Sequence, residues 1–127
     1  MRLSCLYIEK TAERGRGVFT NEPIPADTVL EIAPVIVMSL DERKLIDQTL
    51  LHDYIFLWGE NEDRCAMALG WIPVFNHSYQ SNCEYLMDFE EEAMFVKTVR
   101  AIEAGEELTI NYNGYWNNNT PVWFNAK

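Results

Sequence analysis

Three short polar segments carry the residues of this sequence that could do chemistry. In the segment Gly15–Gly17, two glycines around one arginine allow positive φ angles and let a ligand approach the backbone closely. The segment Asn76–Ser78 offers amide and imidazole groups that can hold a heterocycle such as adenine. The third segment, Gly105–Tyr112, ends in a tyrosine whose hydroxyl could orient a reacting group in a pocket. Each segment alone also fits a structural role: a tight turn, a satisfied polar loop and a half-buried strand end.

A cluster of aromatic residues lies near the C-terminal end of the sequence. As structure, the cluster predicts a small satellite core under the C-terminus. As function, it could wall a narrow apolar channel or form an aromatic cage for an alkylammonium group. The cluster consists of Tyr115, Trp116, Trp123 and Phe124.

Two other chemistries fit the sequence poorly. A hydrolase could use His77 and Ser78 as a base and a nucleophile, but sequence neighbours rarely reach each other in catalytic geometry, and no orienting carboxylate is evident. A metal site is not expected, because His52 and His77 are the only histidines and nothing in their spacing places them near further ligands.

Composition limits the classes of protein that the chain can represent. Its 127 residues, 48% of them hydrophobic, suffice for one domain with one core. Twenty acidic residues against ten basic ones give a net charge of −10, which disfavours nucleic-acid binding and favours basic partners. No segment has the length and apolarity of a membrane span. The odd number and wide spacing of the three cysteines indicate that they are reduced thiols. We therefore expect a cytoplasmic protein, or a nuclear one in a eukaryotic host.

The elements that must position the polar segments are mostly short strands. Helix start signals at Ser39 and Glu42 form a capping box, and the apolar spacing continues the helix to His52. Pro34 interrupts a long β-branched run, which indicates a bend or an edge position. The predicted strands are Leu3–Ile8, Thr28–Met38, Asp53–Trp58, Cys65–Leu69, Glu84–Phe89, Ala93–Val99 and Glu107–Tyr112. The pattern predicts a mostly β domain with one short helix.

In their order and spacing, the three segments resemble the SET domain of protein-lysine methyltransferases. GRGVF, FNHSYQSN and GEELTINY are similar to the family's GxG loop, its N-H-S-C-x-P-N segment and its E-L-T-x-D-Y segment. The resemblance runs from about Arg14 to Tyr112, and residues 53–75 look like the insert of short, stand-alone microbial SET proteins. The chain has Tyr79, Ser81 and Asn111 where the family often has Cys, Pro and Asp, and it lacks the family's flanking zinc-binding cysteine clusters.

The resemblance implies a fold and a set of domain limits. The fold would be the SET (β-clip) arrangement of small curved sheets, in which the C-terminal segment passes under a preceding loop as a pseudoknot. Residues 1–127 would form a single SET domain with core motifs at 14–112, and residues 113–127 would be an aromatic tail that closes the lysine channel.

The resemblance also implies an activity, a cofactor and residue roles. The chain would transfer a methyl group from S-adenosyl-L-methionine to the ε-amine of a protein lysine. Arg16, Gly17, Asn76 and His77 would bind the cofactor, and Tyr112 would touch it as the catalytic residue. Besides the four tail aromatics, Ile110 would help to set the width of the channel.

Partners and an alternative function follow from the same resemblance. The substrate would be a basic, lysine-containing protein or peptide, since the chain is acidic. A homodimer could complete the site, because the flanking modules of larger SET proteins are missing. The alternative function is a catalytically inactive SET-like β module that binds a basic protein segment.

Overall fold

The computed structural model describes residues 1–112 of the chain. Within that range, nine strands accompany one α-helix, α1 (Leu40–Ile46), and two 3-10 helices, Leu50–Tyr54 and Ile72–Val74. The strands are β1 Leu6–Lys10, β2 Arg16–Thr20, β3 Val29–Met38, β4 Phe56–Trp58, β5 Arg64–Ala68, β6 Asn76–His77, β7 Cys83–Asp88, β8 Ala93–Thr98 and β9 Glu107–Ile110. The prediction of a mostly β fold with one short helix is confirmed.

The strands form two sheets that share a core. One sheet has the strand order β1-β2-β9-β6 and the other has the order β4-β5-β3-β8-β7. The long strand β3 pairs with β8 as far as Pro34 and with β5 from Val35 onward. Because proline has no N–H to donate, it fits best at this change of partner.

The five-stranded sheet curls until its two edge strands face each other. The rings of Phe56 in β4 and Tyr85 in β7 lie 5.0 Å apart, centroid to centroid. At the far end of the same edges, Trp58 and Phe89 make an edge-to-face contact at 4.9 Å. This curvature agrees with the predicted small curved sheets, and it leaves a cavity between the edges.

The core lies between the two sheets and draws on every long strand. Leu30 from β3, Val96 from β8 and Leu108 from β9 are completely buried. Phe75, which ends the second 3-10 helix, is also completely buried and lies directly before β6. Burial of each such side chain contributes about 1.5–3 kcal/mol, so the core fixes the positions from which the polar segments extend.

The helix begins as predicted and ends earlier. The capping box is present, because Glu42 N donates to Ser39 Oγ at 3.1 Å and Ser39 N donates to Glu42 Oε1 at 3.0 Å. However, α1 stops at Ile46 rather than at His52, and Thr49 caps a separate 3-10 helix. No residue of either helix is buried, so no packing against the core extends the helix beyond its local signals.

Two strands at the polar segments were expected as turns or loops. Arg16–Thr20 forms β2, and Asn76–His77 forms the two-residue strand β6. Both gain strand pairing from β9, which is distant in sequence and could not be deduced from local patterns. The first strand begins at Leu6 instead of Leu3.

Two further findings concern residues 1–112. In this part of the chain, no helix is long and apolar enough to cross a membrane. Over the same residues, no three His, Cys, Asp or Glu side chains are grouped in a way that could hold a metal ion.

Candidate active site

Strand β9 brings the three polar segments of the sequence together. It pairs antiparallel with β2 on one side, where Val18 faces Leu108. On its other side it pairs parallel with β6, where His77 faces Ile110. Gly17 and Asn76, which are far apart in sequence, therefore flank the same strand, and Tyr112 follows two residues after that strand ends.

The loop between β6 and β7 is bonded to the C-terminal segment. Asn82 is buried; its Oδ1 accepts from Thr109 N at 2.9 Å, and its Nδ2 donates to Glu107 O at 2.8 Å. Asn111 Nδ2 donates to Tyr79 O at 3.3 Å. These bonds fix the loop against β9, as the expected pseudoknot requires.

The two glycines of the first segment have different roles. Gly15 has a φ of +71°, and a Cβ there would meet no atom within 4 Å, so this glycine provides backbone freedom. Gly17 is buried and has no positive φ. A Cβ at Gly17 would overlap the carboxylate of Glu107 and lie 2.9 Å from Asn76 Nδ2, so this glycine provides space.

His77 is a buried, neutral hydrogen-bond acceptor. Its side chain is nearly inaccessible, and its Nδ1 accepts from Tyr112 N at 3.0 Å. Burial lowers the pKa of His77, and the nearby Arg14 guanidinium lowers it further. Because Nδ1 already accepts the backbone N–H, the ring offers no base at that nitrogen to a Ser78 nucleophile.

Tyr112 is held at both its backbone and its hydroxyl. Its Oη donates to Phe75 O at 2.8 Å, and its carbonyl accepts from Tyr85 Oη at 3.2 Å. Its ring lies 5.2 Å from His77 and 6.4 Å from Phe56. Burial raises the pKa of Tyr112 well above its usual value, so the side chain stays a phenol at neutral pH.

A cavity of about 950 Å³ lies between the edge strands β4 and β7. Its apolar wall includes Ile55, Phe56, Tyr85, Met87 and Phe89. Its charged wall includes Arg43, Asp47, Glu62 and Glu84. Among the sequence-predicted site residues in the described part of the chain, Tyr112 alone lines this cavity. Tyr112 therefore connects the cavity with the polar segments around His77.

The remaining predicted channel residues lie elsewhere. Ile110 is completely buried in the core and does not line the cavity, so its role in setting channel width stays a prediction. The four aromatic residues of the tail, Tyr115, Trp116, Trp123 and Phe124, lie outside the described residues.

Three residues of the site could not be identified from the sequence. The sequence places Glu107 in the third segment without predicting a role for its side chain, whereas in the structure its carboxylate contacts Asn76. Phe56 and Tyr85 were interpreted as ordinary strand residues, although they meet across the cavity. The alternating pattern of β7 could have shown that Tyr85 faces inward, but not which strand it faces.

Comparisons with known proteins identify similar chains. The SET domain family model matches residues 15–113. A Schizosaccharomyces pombe histone-lysine N-methyltransferase specific for H3 lysine-37 is 37% identical over 122 residues, which cover 95% of this chain and 78% of that protein. A Cryptococcus neoformans histone-lysine N-methyltransferase specific for H3 lysine-36 is 32% identical over 111 residues, covering 81% of this chain and 13% of that protein.

Solved structures with a similar fold come from more distant sequences. A crystal structure from Plasmodium falciparum, assigned as a histone methyltransferase, has a TM-score of 0.64 at 24% identity and covers 87% of this chain and 99% of that one. A Chaetomium thermophilum Polycomb Repressive Complex 2 structure has a TM-score of 0.71 at 21% identity and covers 84% of this chain and 14% of that one. Both show that the two curled sheets form a known fold.

Proposed function

The chain belongs to the SET-domain family of protein-lysine methyltransferases, and from this premise we propose that it transfers a methyl group from S-adenosylmethionine to the ε-amine of a lysine in a basic protein. The observation that carries the proposal is the position of Tyr112. This residue lines the cavity and contacts His77, so it lies where a donor held by the polar segments and an amine entering from the cavity would meet.

The polar segments fit the chemistry of the donor. Its amino-acid end carries an ammonium and a carboxylate, and the residues around Gly17 offer groups of both signs. Asn76 supplies an acceptor oxygen, and the Glu107 carboxylate beside it lies 3.8 Å from the Arg14 guanidinium, so that one charge of each sign is close to the segment. We assign donor binding to Arg16, Gly17, Asn76 and His77, and contact with its reactive end to Tyr112.

When bound, the donor supplies a methyl group attached to a positively charged sulfur. The lysine nitrogen would take this methyl group, with the N–C bond forming as the S–C bond breaks and its electron pair stays on sulfur. Tyr112 Oη donates a hydrogen bond to Phe75 O, and as a hydroxyl oxygen it can also accept one from the amine N–H and orient the amine. Such orientation can contribute about 7–11 kcal/mol in favourable systems.

The amine must be uncharged to react, although a free lysine has a pKa of about 10.4. Contact with the apolar wall at Phe56 and Tyr85 disfavours the ammonium form and lowers that pKa, whereas the carboxylates of the charged wall favour the ammonium and attract it before it reaches the apolar wall. Tyr112 does not serve as the base that removes the proton, because burial keeps its own pKa high and a phenolate is not populated. The proton is released to solvent before the amine enters the channel.

We further propose that residues 113–127 close the lysine channel, so that residues 1–127 act as a single domain. The path of the chain supports this, because Tyr112 lies in the cavity wall and its carbonyl is fixed by Tyr85. In the sequence, the tail follows Tyr112 directly and contains the aromatic residues Tyr115, Trp116, Trp123 and Phe124. The contribution of Ile110 to channel width would be indirect, because it packs behind the site.

The substrate we propose is a basic segment of a histone. The acidic residues Asp47, Glu62 and Glu84 line the cavity, and the histone specificity of the related methyltransferases agrees with a lysine-rich substrate. In a eukaryotic host these relatives favour a nuclear site of action, and they give no support to a cytoplasmic one. The comparisons also give no support to an inactive binding module, and a homodimer stays a prediction.

The experiment that tests this function uses the purified chain, methyl-labelled S-adenosylmethionine and core histones. We expect label on histone lysines, and mass spectrometry of the products names the lysine and the number of methyl groups. Calorimetry with S-adenosylhomocysteine accompanies the assay. Binding without transfer to histones or to lysate proteins would favour the inactive module, and no binding at all would reject the proposal.

A further inference from the structure

Glu107 makes an unusual set of contacts for a residue at the start of a strand. Its side chain is only 20% exposed, and its Oε2 accepts from Asn76 Nδ2 at 2.8 Å. Arg14 Nη1 lies 3.8 Å from the other carboxylate oxygen and also donates to His77 O at 3.4 Å. Glu107 thus forms one charged group with residues from β6 and from the segment before β2.

These contacts determine which way the amide of Asn76 faces. Its Nδ2 lies 2.8 Å from Glu107 Oε2 and 3.1 Å from Arg16 O. A carboxylate and a carbonyl can only accept, so the nitrogen must face them and both of its hydrogens are used. Asn76 Oδ1 then faces away from both partners, and no hydrogen-bond donor from residues 1–112 occupies it.

The space at Gly17 is required for the same group. A Cβ on this buried residue would overlap Glu107 Oε2 and lie 2.9 Å from Asn76 Nδ2. The absence of a side chain at Gly17 therefore admits the pair formed by Glu107 and Asn76. The second glycine of the motif is therefore required for the space it leaves, and not for backbone freedom.

We propose that Glu107 is a positioning residue that sets Asn76 Oδ1 to receive the ammonium of the methyl donor, with Arg14 as the counterion of the Glu107 carboxylate. This inference rests on the proposed function. The negative charge of Glu107 strengthens the hydrogen bond from Asn76 and attracts the ammonium, because charge-assisted bonds are about twice as strong as neutral ones. Glu107 thereby makes the site selective for donors with a complete amino-acid end.

Calorimetry with two ligands separates this role from a structural one. S-adenosylhomocysteine carries the amino-acid end of the donor, whereas 5′-methylthioadenosine lacks it. For Glu107→Gln we expect the Kd of S-adenosylhomocysteine to rise by about tenfold, which equals about 1.4 kcal/mol, and the Kd of 5′-methylthioadenosine to stay unchanged. Glu106→Gln is the matched control, because this neighbouring carboxylate pairs with Arg100 instead.

A rescue experiment provides a second test with the same two ligands. Asn76→Asp places two carboxylates against each other, and we expect it to weaken S-adenosylhomocysteine binding more than Glu107→Gln does. Adding Glu107→Gln to that variant restores an amide facing a carboxylate, so at least part of the affinity should return. The recovery should be confined to S-adenosylhomocysteine, because a merely structural repair would restore the affinity for 5′-methylthioadenosine to the same extent.

The outcomes distinguish this inference from the proposed function. If the unaltered protein binds S-adenosylhomocysteine and Glu107→Gln binds it equally well, or loses both ligands equally, the positioning role is wrong. Failure of the double variant to recover any affinity also argues against it. If the unaltered protein does not bind S-adenosylhomocysteine at all, the proposed function itself fails.

Discussion

The two regions that meet at Tyr112 are constructed in opposite ways. The polar cluster around Asn76 lies on three strands that are paired with one another, and its side chains are bonded to each other or to the backbone. The cavity beside Tyr85 is bordered by two sheet edges and by helices that bury no residue. Leu45 and Leu50 in those helices are 68% and 76% exposed.

This difference assigns different tasks to the two regions. Local opening costs less free energy where few apolar contacts are buried, so the cavity wall yields more readily than the polar cluster. A cluster that is already arranged suits one invariant small molecule, because little conformational entropy is lost on binding. A yielding wall suits protein segments that differ in sequence.

We expect the largest effect on the rate of methyl transfer from a substitution of Tyr112, where the polar cluster and the cavity meet. Tyr112→Phe removes the hydroxyl that we propose orients the amine, and misplacement of a reacting group by about 1 Å can cost on the order of 100-fold in rate. We therefore expect kcat to fall by about 100-fold while the Kd of S-adenosylhomocysteine stays within about threefold. Single-turnover kinetics and calorimetry measure the two quantities.

The matched control for that change is Tyr7→Phe. Tyr7 stacks on Phe19 in the other sheet, with the ring centroids 5.7 Å apart, and it does not line the cavity. Its activity and donor affinity should match those of the unaltered protein. Equal losses of turnover and donor binding in Tyr112→Phe would instead show that the hydroxyl supports folding through its bond to Phe75.

The next largest effect is on donor affinity, and we expect it for only one of the two glycines of the first motif. Gly17→Ala inserts a methyl group into the space of Asn76 and Glu107, and breaking such buried polar contacts costs about 1–3 kcal/mol. We expect donor affinity to fall by about 30-fold. Gly15→Ala meets no atom within 4 Å, but its positive φ should cost about 1–2 kcal/mol of stability.

Calorimetry and thermal unfolding read out this pair of variants. Gly15→Ala should bind the donor normally and melt at a lower temperature, whereas Gly17→Ala should lose binding. If both variants lost affinity to the same extent, both glycines would act through backbone conformation alone, and the close packing of the polar cluster would not matter for binding.

The same two glycines show how far sequence reasoning reaches. The sequence predicts positive φ angles and close approach of a ligand for both glycines, whereas in the structure Gly17 has no positive φ and leaves space for the Glu107 carboxylate. The capping box at Ser39 was predicted correctly because all its partners lie within four residues. The contact between Glu107 and Asn76 joins residues 31 positions apart, so no local sequence pattern could predict it.

The cavity was harder to predict than the polar cluster for a similar reason. Phe56 and Tyr85 face each other only because β3 changes partners after Pro34 and the sheet curls. Strand spacing gives the inward face of each strand, but not the curvature that brings two edges together. The strands themselves were mostly predicted, and their meeting across the cavity was not.

A smaller effect concerns the pH dependence of the polar cluster. Burial lowers the pKa of His77, so the unfolded chain binds a proton more readily than the folded one. The contribution to stability is complete above about pH 6.5 and decreases as pH falls from there toward the folded-state pKa, by at most about 1.4 kcal/mol per unit. Denaturant unfolding at several pH values measures the slope.

Proton NMR of the imidazole provides the direct measurement for His77. Its midpoint should lie below that of a histidine in an unfolded peptide, and protonation should coincide with a shift of the Tyr112 amide, which donates to this ring. A midpoint at or above about 6.5 would contradict the buried, neutral state of His77, and His77 would then not belong to the prearranged polar cluster.

The smallest effect is expected on the cavity side. Glu62 lines the cavity, and its charge helps burial to raise the pKa of Tyr85 to about 12. Asp47 and Glu84 are paired with cations, whereas Glu62 makes no ion pair with any of residues 1–112, so its charge is available to a basic substrate. Glu62→Gln should raise the KM for a histone peptide by about two- to fivefold, since one exposed charge contributes about 0.5–1 kcal/mol. The increase should shrink at high salt, and kcat and donor affinity should not change.

Glu60→Gln is the matched control, because this exposed neighbour in the same turn does not line the cavity. Equal KM values for the two variants would show that the net charge of the chain, rather than the cavity, attracts the substrate.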